Sequence, residues 1–338
     1  MRAMIYGAGA LGTVLGAYIA KAGVAIDLVN RNKAHVAALR ERGAHITGTV
    51  DFVQPVSALL PEEMMGKYDV ILLMTKQSDN ARVVTMLGSY LAEDGVICTC
   101  QNGLPEPAIA EIVGAQRTLG CAIAWGATFH GEGVSELTSD SSALTFSLGA
   151  IAKPVNHLED VKKLLGCMGT VVVEENFMGA RWSKLLINSA FSGLSTVTGG
   201  TFGEVSVQKP SRKVAQRIIK ECIDVARAAK ITIEPVQGHK IDQLFDYRGA
   251  LKKAVSFALI PVAMKKHAGL VASMLQDLRA GKKCEIDYIN GSVCAFGKKY
   301  GVPTPFNDRT VEIIHGIEDG KYTSSFENIR LYDDLFRK

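Results

Sequence analysis

The sequence predicts a mixed α/β first half built on a parallel sheet, followed by an all-α second half. Three observations carry that expectation. Short apolar runs alternate with helical patterns through the first half, the signature of a parallel sheet with helices on both faces. A glycine-rich turn joins the first of these runs to an apolar helix. From Phe177 onward the periodicity becomes helical. At 338 residues the chain is long enough for two domains with sizeable cores. We place them at 1–176 and 177–338, with the boundary near Asn176 to Gly179.

Taken in order, the predicted strands are Arg2 to Tyr6, Ala25 to Val29, a weak Ala44 to Thr47, Val70 to Thr75, Val96 to Cys100 and Thr118 to Ala124. Between Trp125 and Gly149 the pattern changes to glycine-rich turns and short alternating segments such as Ala143 to Leu148. These suggest antiparallel strands added to the sheet edge, with Val171 to Glu174 as the last strand. The helical candidates that follow are Ala180 to Gly193, Ser211 to Ala229, His239 to Phe245, Ser273 to Ala280, Glu285 to Tyr300 and Asn307 to Ile317.

Bulk properties narrow the function classes. The composition is that of a folded globular protein, with 47% hydrophobic and 21% charged residues. A formal charge of +4, spread along the chain, implies neither nucleic acid nor an acidic membrane as partner. Lys265-Lys266 and Lys282-Lys283 read as solvated faces. No apolar run reaches the roughly 18 residues a membrane helix needs, and no targeting signal is visible, so a cytoplasmic enzyme is expected. Seven cysteines without a C-x-x-C pair make neither a disulfide framework nor a zinc site, and no metal is expected. Cys98 and Cys100 read as small buried hydrophobes.

The first functional segment is Gly7-Ala8-Gly9-Ala10-Leu11-Gly12, set between the first strand and a helix over Thr13 to Ala22. Strand, glycine turn and helix stand in the order a dinucleotide site requires. Gly7 permits the tight turn, Gly9 lets the backbone approach a pyrophosphate, and Gly12 lets the helix pack closely on the strand. The helix N-terminus presents its N–H groups to the phosphates.

The end of the second strand chooses the cofactor. A carboxylate there would accept both ribose hydroxyls of NAD, but the chain reads Val29-Asn30-Arg31-Asn32-Lys33. A guanidinium grips a 2′-phosphate with charge-assisted bonds, so NADP(H) is preferred. Asp27, inside the strand, is the one residue that could rescue an NAD reading. Two further strand ends carry polar residues, Met74-Thr75-Lys76-Gln77 and Cys100-Gln101-Asn102-Gly103. Lys76 could neutralise cofactor phosphate, and Asn102 could bond the nicotinamide side or the substrate. As isolated residues both are ordinary turn formers.

The second functional segment is Arg181 to Gly193. Its apolar residues lie nearly all round the helix, so the helix is expected to be mostly buried. Lys184, Asn188 and Ser192, spaced i, i+4, i+8, form one narrow polar stripe on it. A lysine aimed into a cleft can protonate the alkoxide formed when hydride reaches a ketone; a snorkelling surface lysine is the alternative. Glu285 stands in the first turn of a later helix, where it is either a partner of the helix dipole or a substrate ligand.

Together these segments resemble the ketopantoate reductase family over nearly the whole chain. The resemblance is carried by the glycine loop, Asn30-Arg31, Lys76, Gln101-Asn102-Gly103, Lys184 with Asn188, Ser273-Met274-Leu275-Gln276-Asp277, and Cys284-Glu285-Ile286-Asp287-Tyr288-Ile289-Asn290-Gly291. It implies a Rossmann-type domain followed by an all-helical domain, with the active site in the cleft between them. Arg31 would bind the 2′-phosphate of NADP(H), with Gly7, Ala8, Gly9, Ala10, Leu11, Gly12, Lys76 and Asn102 also meeting the cofactor. Lys184 would be the general acid, while Asn188, Ser273 and the catalytic-site Glu285 would hold the substrate. Ser192 stands where family members commonly carry a second Asn, and it is a shorter donor. The segment Thr138 to Phe146 lacks a His-Thr-Gly pattern, and 208–272 is weakly matched.

The function this implies is NADPH-dependent reduction of 2-dehydropantoate to pantoate in pantothenate and coenzyme A biosynthesis. Reduction of another branched 2-oxo acid or of an opine-type imine is the near alternative, favoured by Ser192. A non-catalytic NADPH-binding redox sensor would need the glycine loop and Arg31 but not the polar stripe. The expected partner is a small 2-oxo acid, and a homodimer stays open.

Overall fold

The first strand, β1 (Ala3–Tyr6), is buried along nearly its whole length, as a central parallel strand covered on both faces must be. The computed structural model describes residues 1–236 and 238–337. They fall into two units, Met1–Gln101 with Pro105–Phe177, and Asn102–Leu104 with Met178–Lys338.

In the first unit β1 is followed by α1 (Ala10–Lys21), β2 (Asp27–Val29), α2 (Lys33–Arg42), β3 (Ala44–Gly48), β4 (Phe52–Gln54), β5 (Ser57–Leu59), β6 (Tyr68–Leu73) and α3 (Asn80–Gly88). Then come β7 (Leu91–Thr99), α4 (Glu106–Val113), β8 (Thr118–Ile123), β9 (Ala127–Gly131), β10 (Val134–Leu137), β11 (Thr145–Ala150), α5 (Leu158–Gly166) and β12 (Thr170–Val173). An eight-stranded sheet runs β12-β11-β8-β7-β6-β1-β2-β5. Its neighbours pair in parallel except β11 against β8, the antiparallel strand expected from the Ala143 to Leu148 pattern.

Two expectations about strands are corrected. Ala44 to Thr47 does not join the main sheet; β5 takes the place beside β2, and β3 enters a second sheet of order β4-β3-β10-β9. Likewise β9 pairs with β10, and β10 with β3, rather than extending the main sheet. The physical reason lies in the period: β3 alternates buried Ala44 and Ile46 with half-exposed neighbours, so it has only one face to bury. The second sheet spends that face on α1, where Tyr18 meets Phe52 edge-on at 5.3 Å between ring centroids. Cys98 and Cys100 are buried, as expected of small hydrophobes.

The order of the main sheet reverses direction at β1, with β2 on one side and β6 on the other. The turns after β1 and β6 therefore flank the crevice where open α/β sheets bind ligands. Here the glycines are required by contact. A methyl group on Gly7, whose φ is +105°, would stand 2.7 Å from the Met74 carbonyl carbon, and one on Gly12 would stand 2.6 Å from the Gly7 carbonyl oxygen. Helix α1 thus lies directly against the end of β1.

The second unit contains α6 (Phe177–Ile187), a π-turn at Asn188–Ser192, α7 (Gly193–Thr198), α8 (Phe202–Val207), α9 (Lys209–Ala228) and α10 (Ile241–Phe245). It continues with α11 (Ala250–Met264), α12 (Ser273–Arg279), α13 (Asn290–Tyr300), α14 (Pro305–Glu318) and a 3-10 stretch over Phe326–Phe336. Helix α9 is the axis. Val214, Ile218, Cys222 and Val225 on it are fully buried, and α8, α11, α13, α14 and the π-turn pack around them. Helix α11 was not expected from the sequence. The expected continuous helix from Glu285 to Tyr300 is also broken, because Ile289 leaves helical geometry (φ −109°, ψ −88°) to put its side chain in the core. No helix among the described residues is long and apolar enough to cross a membrane.

The close approach of α1 to β1 makes a stability prediction. Gly12→Ala is expected to cost about 1–3 kcal/mol, by analogy with overpacking of a close-packed core. Gly9→Ala, whose methyl would meet nothing within 4 Å, is expected to change stability by no more than about 0.5 kcal/mol. Urea unfolding midpoints of the two variants check the contrast, and equal losses would contradict it.

Candidate active site

The glycine turn is held from below by its own backbone. The Gly7 and Ala8 N–H groups both donate to the Val29 carbonyl at 3.0 Å, and Gly9 N–H donates to the Gly7 carbonyl at 2.7 Å. Helix α1 then begins at Ala10 with no side chain capping it. A helix start without a cap, beside open space at Gly9, is an arrangement that suits a pyrophosphate. Ala10 and Leu11 lie in its first turn.

The loop after β2 is fixed while its cation is loose. Asn30 donates from Nδ2 to the Ala8 carbonyl at 2.7 Å and accepts the Asn32 N–H at 2.9 Å; Asn32 in turn caps α2 through His35 N–H. Between these anchors the Arg31 side chain is 85% exposed, 3.8 Å from Asp79. Arg82 approaches the same carboxylate at 3.6 Å, so a second guanidinium stands beside Arg31. Sequence reading did not single out Arg82, although its i, i+3 spacing from Asp79 was visible. Asp27 does not rescue an NAD reading. It sits at the opposite end of β2, where its carboxylate accepts from Tyr68 Oη at 2.8 Å and Ser57 Oγ at 2.7 Å.

Lys76 is exposed in the turn after β6. Gln101, at the end of β7, holds that turn: its Nε2 donates to the Thr75 carbonyl at 2.7 Å. Gln101 and Asn80 also exchange amide hydrogen bonds at 2.8 and 2.9 Å, joining the end of β7 to the start of α3. Asn102, the next residue, is half-buried and belongs to the second unit.

In the second unit the expected polar stripe is partly realised. On α6, Arg181, Trp182, Ser183, Leu185 and Leu186 are buried, while Met178, Ala180, Lys184, Ile187 and the following Asn188 are half-buried. The helix does not continue as α through the stripe. Residues Asn188–Ser192 form a π-turn, which closes i→i+5 rather than i→i+4. Residues eight apart on an α-helix are about 80° out of line, and the wider turn takes up part of that drift. Ser192 is nonetheless buried, at 8% exposure, apart from the half-buried Lys184 and Asn188.

Two other expected segments are tied to this turn and to α7 beyond it. Ser273 is exposed at the start of α12, and the preceding Ala272 N–H donates to Ser195 Oγ at 3.3 Å, one turn beyond the π-turn. Glu285 is half-buried at the start of a 3-10 turn over Ile286–Tyr288. Five residues after it, buried Asn290 donates from Nδ2 to the Ser189 carbonyl inside the π-turn at 3.1 Å. The same amide donates to Asn307 Oδ1 at 3.0 Å, and Asn307 Nδ2 donates to Glu221 at 2.7 Å. Glu221 also accepts the Phe306 and Asn307 N–H groups, at 2.9 and 3.0 Å, capping the buried start of α14. Polar spacing alone gave no role to Asn290, Asn307 or Glu221.

Burial raises the Glu221 carboxyl to about 7, against the pull of those three N–H donors. Because the folded state binds this proton more tightly than the unfolded chain does, the stabilising contribution is complete below about pH 4.5. It is lost as pH rises toward 7. Wild type is expected to lose on the order of 3 kcal/mol through Glu221 across that window, and Glu221→Gln to lack that part of the slope. Denaturant unfolding at several pH values checks it; parallel curves for the two proteins would contradict it.

With this geometry in hand, comparison with known proteins is decisive for the family. The N-terminal profile "Ketopantoate reductase PanE/ApbA" matches residues 3–150, and the profile "Ketopantoate reductase PanE/ApbA C terminal" matches 176–318. The chain belongs to the ketopantoate reductase family. It is 26% identical to the 2-dehydropantoate 2-reductase of Pyrococcus horikoshii over 313 residues, covering 91% of this chain and 94% of that one. It is also 26% identical to the 2-dehydropantoate 2-reductase of Lactococcus lactis over 335 residues, covering 94% and 98%. Among solved structures, a family ketopantoate reductase from Ralstonia eutropha superposes with TM-score 0.79 at 23% identity, covering 95% of this chain and 99% of that one. A D-mandelate dehydrogenase with NADH and anilino(oxo)acetate gives the same TM-score, identity and coverage. These two structures share the fold of this chain.

Proposed function

We propose that the chain reduces 2-dehydropantoate to pantoate with NADPH, a step of pantothenate biosynthesis. In this reading residues 1–176 are the NADP-binding Rossmann-like domain and 177–338 the helical substrate and catalytic domain. Family membership makes the chain an oxidoreductase acting on a CH–OH group. The observation that carries the finer reading is the pairing of Lys184 with Asn188, both half-buried, along a mostly buried helix. The segment bearing Glu285 is fastened to the π-turn that follows this helix, and the segment bearing Ser273 to α7 beyond it.

On the cofactor side, the backbone of Gly7, Ala8, Gly9, Ala10, Leu11 and Gly12 would seat the pyrophosphate. Arg31 would take the 2′-phosphate, and Lys76 and Asn102 would meet the cofactor as well. The open space at Gly9, the uncapped start of α1 and the exposed Arg31 all fit that group. When bound, the nicotinamide supplies a hydride to a carbonyl carbon. Lys184 holds the proton: its ammonium donates to the substrate carbonyl oxygen as negative charge develops there, and ends as the neutral amine. Asn188 orients the substrate through its amide, which can both donate and accept. Ser273 and Ser192 add hydroxyl donors, and Glu285 accepts from a substrate hydroxyl, fixing which carbonyl face is presented.

A second reading, reduction of another branched 2-oxo acid, is favoured by Ser192. It is shorter than the Asn common at this place and lies buried, so the substrate meets fewer fixed amides along the stripe.

Steady-state NADPH oxidation with 2-dehydropantoate, and with a panel of alkyl and aryl 2-oxo acids with and without amines, tests both readings. The proposal expects 2-dehydropantoate to give the highest kcat/KM and Lys184→Ala to lower it by about 10²–10⁴-fold. Undiminished activity in that variant would remove Lys184 from its role, and a better substrate in the panel would move the assignment to the second reading.

A further inference from the structure

Side chains grip the glycine turn at one carbonyl. Three side-chain groups converge on the Ala8 oxygen: Asn30 Nδ2 at 2.7 Å, His35 Nε2 at 2.9 Å and Thr13 Oγ1 at 3.1 Å. Asn30 arrives from the loop after β2 and Thr13 from α1. His35 arrives from α2 and is the one that reaches further.

His35 is completely buried, with the ring of Phe129 edge-on at 5.0 Å. Its other nitrogen, Nδ1, accepts the N–H of Gly133 at 3.0 Å from the turn between β9 and β10. An accepting Nδ1 leaves the ring proton on Nε2, so the imidazole is neutral and donates to Ala8. Burial, which holds His35 below its ordinary value, favours the same neutral form. The ring therefore bridges two backbones: the second sheet holds it at one nitrogen, and the other holds the Ala8 peptide. Its own N–H donates to Asn32, so the loop bearing Arg31 is tied to the same residue.

We propose that His35 is a positioning residue for the nicotinamide cofactor: the β9–β10 turn, acting through its imidazole, fixes the Ala8 peptide and with it the pyrophosphate seat and the Arg31 loop. The inference rests on the reading of the glycine turn as a dinucleotide site, and it assigns a role to the second sheet that neither the polar stripe nor the glycine pattern does. His35 touches no cofactor atom in this account; it acts through Ala8 and Asn32.

The test is NADPH titration by fluorescence on the full chain, with thermal unfolding measured alongside. His35→Phe fills the space against Phe129 but neither donates nor accepts; His35→Gln offers an amide that can do both. Expected is about tenfold weaker NADPH binding in His35→Phe, roughly one lost hydrogen bond, with most of the affinity recovered in His35→Gln. If the Phe variant does not fold, His35→Asn, which can accept from Gly133 but is too short for Ala8, is expected to show the same weakening. Wild-type affinity in a folded Phe or Asn variant would overturn the proposal. So would equal weakening in the Phe and Gln variants, because shape alone would then account for it. Failure of wild type to bind NADPH would instead overturn the dinucleotide reading on which the proposal stands.

Discussion

The approach of α1 to the end of β1 is the constraint on which the first unit depends. With 2.6 Å between the Gly7 carbonyl oxygen and the place where a methyl on Gly12 would sit, no other residue type fits at position 12 without shifting backbone. That closeness brings the start of α1 directly over the crevice at the reversal of strand order. The start of α1 carries no side-chain cap, and a methyl on Gly9 before it would meet nothing within 4 Å. The seat proposed for the dinucleotide is therefore made of backbone, and side chains enter only as its supports. Asn30, His35 and Thr13 hold the turn by its carbonyl, and Gln101 holds the neighbouring turn by the Thr75 carbonyl.

The second unit solves a related problem with the opposite material. The edge proposed as functional is made of side chains, Lys184 and Asn188, and beside it runs a buried polar chain from Glu221 through Asn307 and Asn290 to the Ser189 carbonyl. Such a chain is costly where any member lacks a partner, and a carboxylate in the core is the costliest member. Three N–H donors from the start of α14 offset part of that cost, and the raised Glu221 pKa records what remains. A π-turn also exposes carbonyls that a regular helix would pair, and Asn290 supplies a donor to one of them.

How much of this was legible in the sequence depends on the range of the interaction. The glycine turn was legible because strand, turn and helix are contiguous and each glycine has a local reason. Antiparallel β11 was legible from its alternation. The second sheet was not, because β3 pairs with β10, with His45 opposite Val134, and nothing local announces a partner so far along the chain. Helix α11 was missed for another reason: Pro261 lies inside it, and Leu251, Val255 and Val262 are exposed on it, so neither a breaker-free run nor a clean apolar stripe marks it. The stripe over Lys184 and Asn188 was visible at helical spacing, but the π-turn that re-phases it has no signature of its own. His35 carried a faint signal, a lone histidine beside Val36 and Leu39 on the buried face of a helix otherwise rich in charge. Glu221 carried none, since a glutamate on α9 reads as surface.

The central claim is that this glycine turn, with Arg31 in place of a strand-end carboxylate, holds NADPH in preference to NADH. Its most direct test is the ratio of the two dissociation constants, measured by titration on the wild-type chain and on Arg31→Ala. A guanidinium bonded to the 2′-phosphate predicts NADPH tighter by about ten- to a hundredfold in wild type, the ratio falling toward one in the variant. Equal affinities in wild type, or a ratio unchanged by the loss of Arg31, would contradict it.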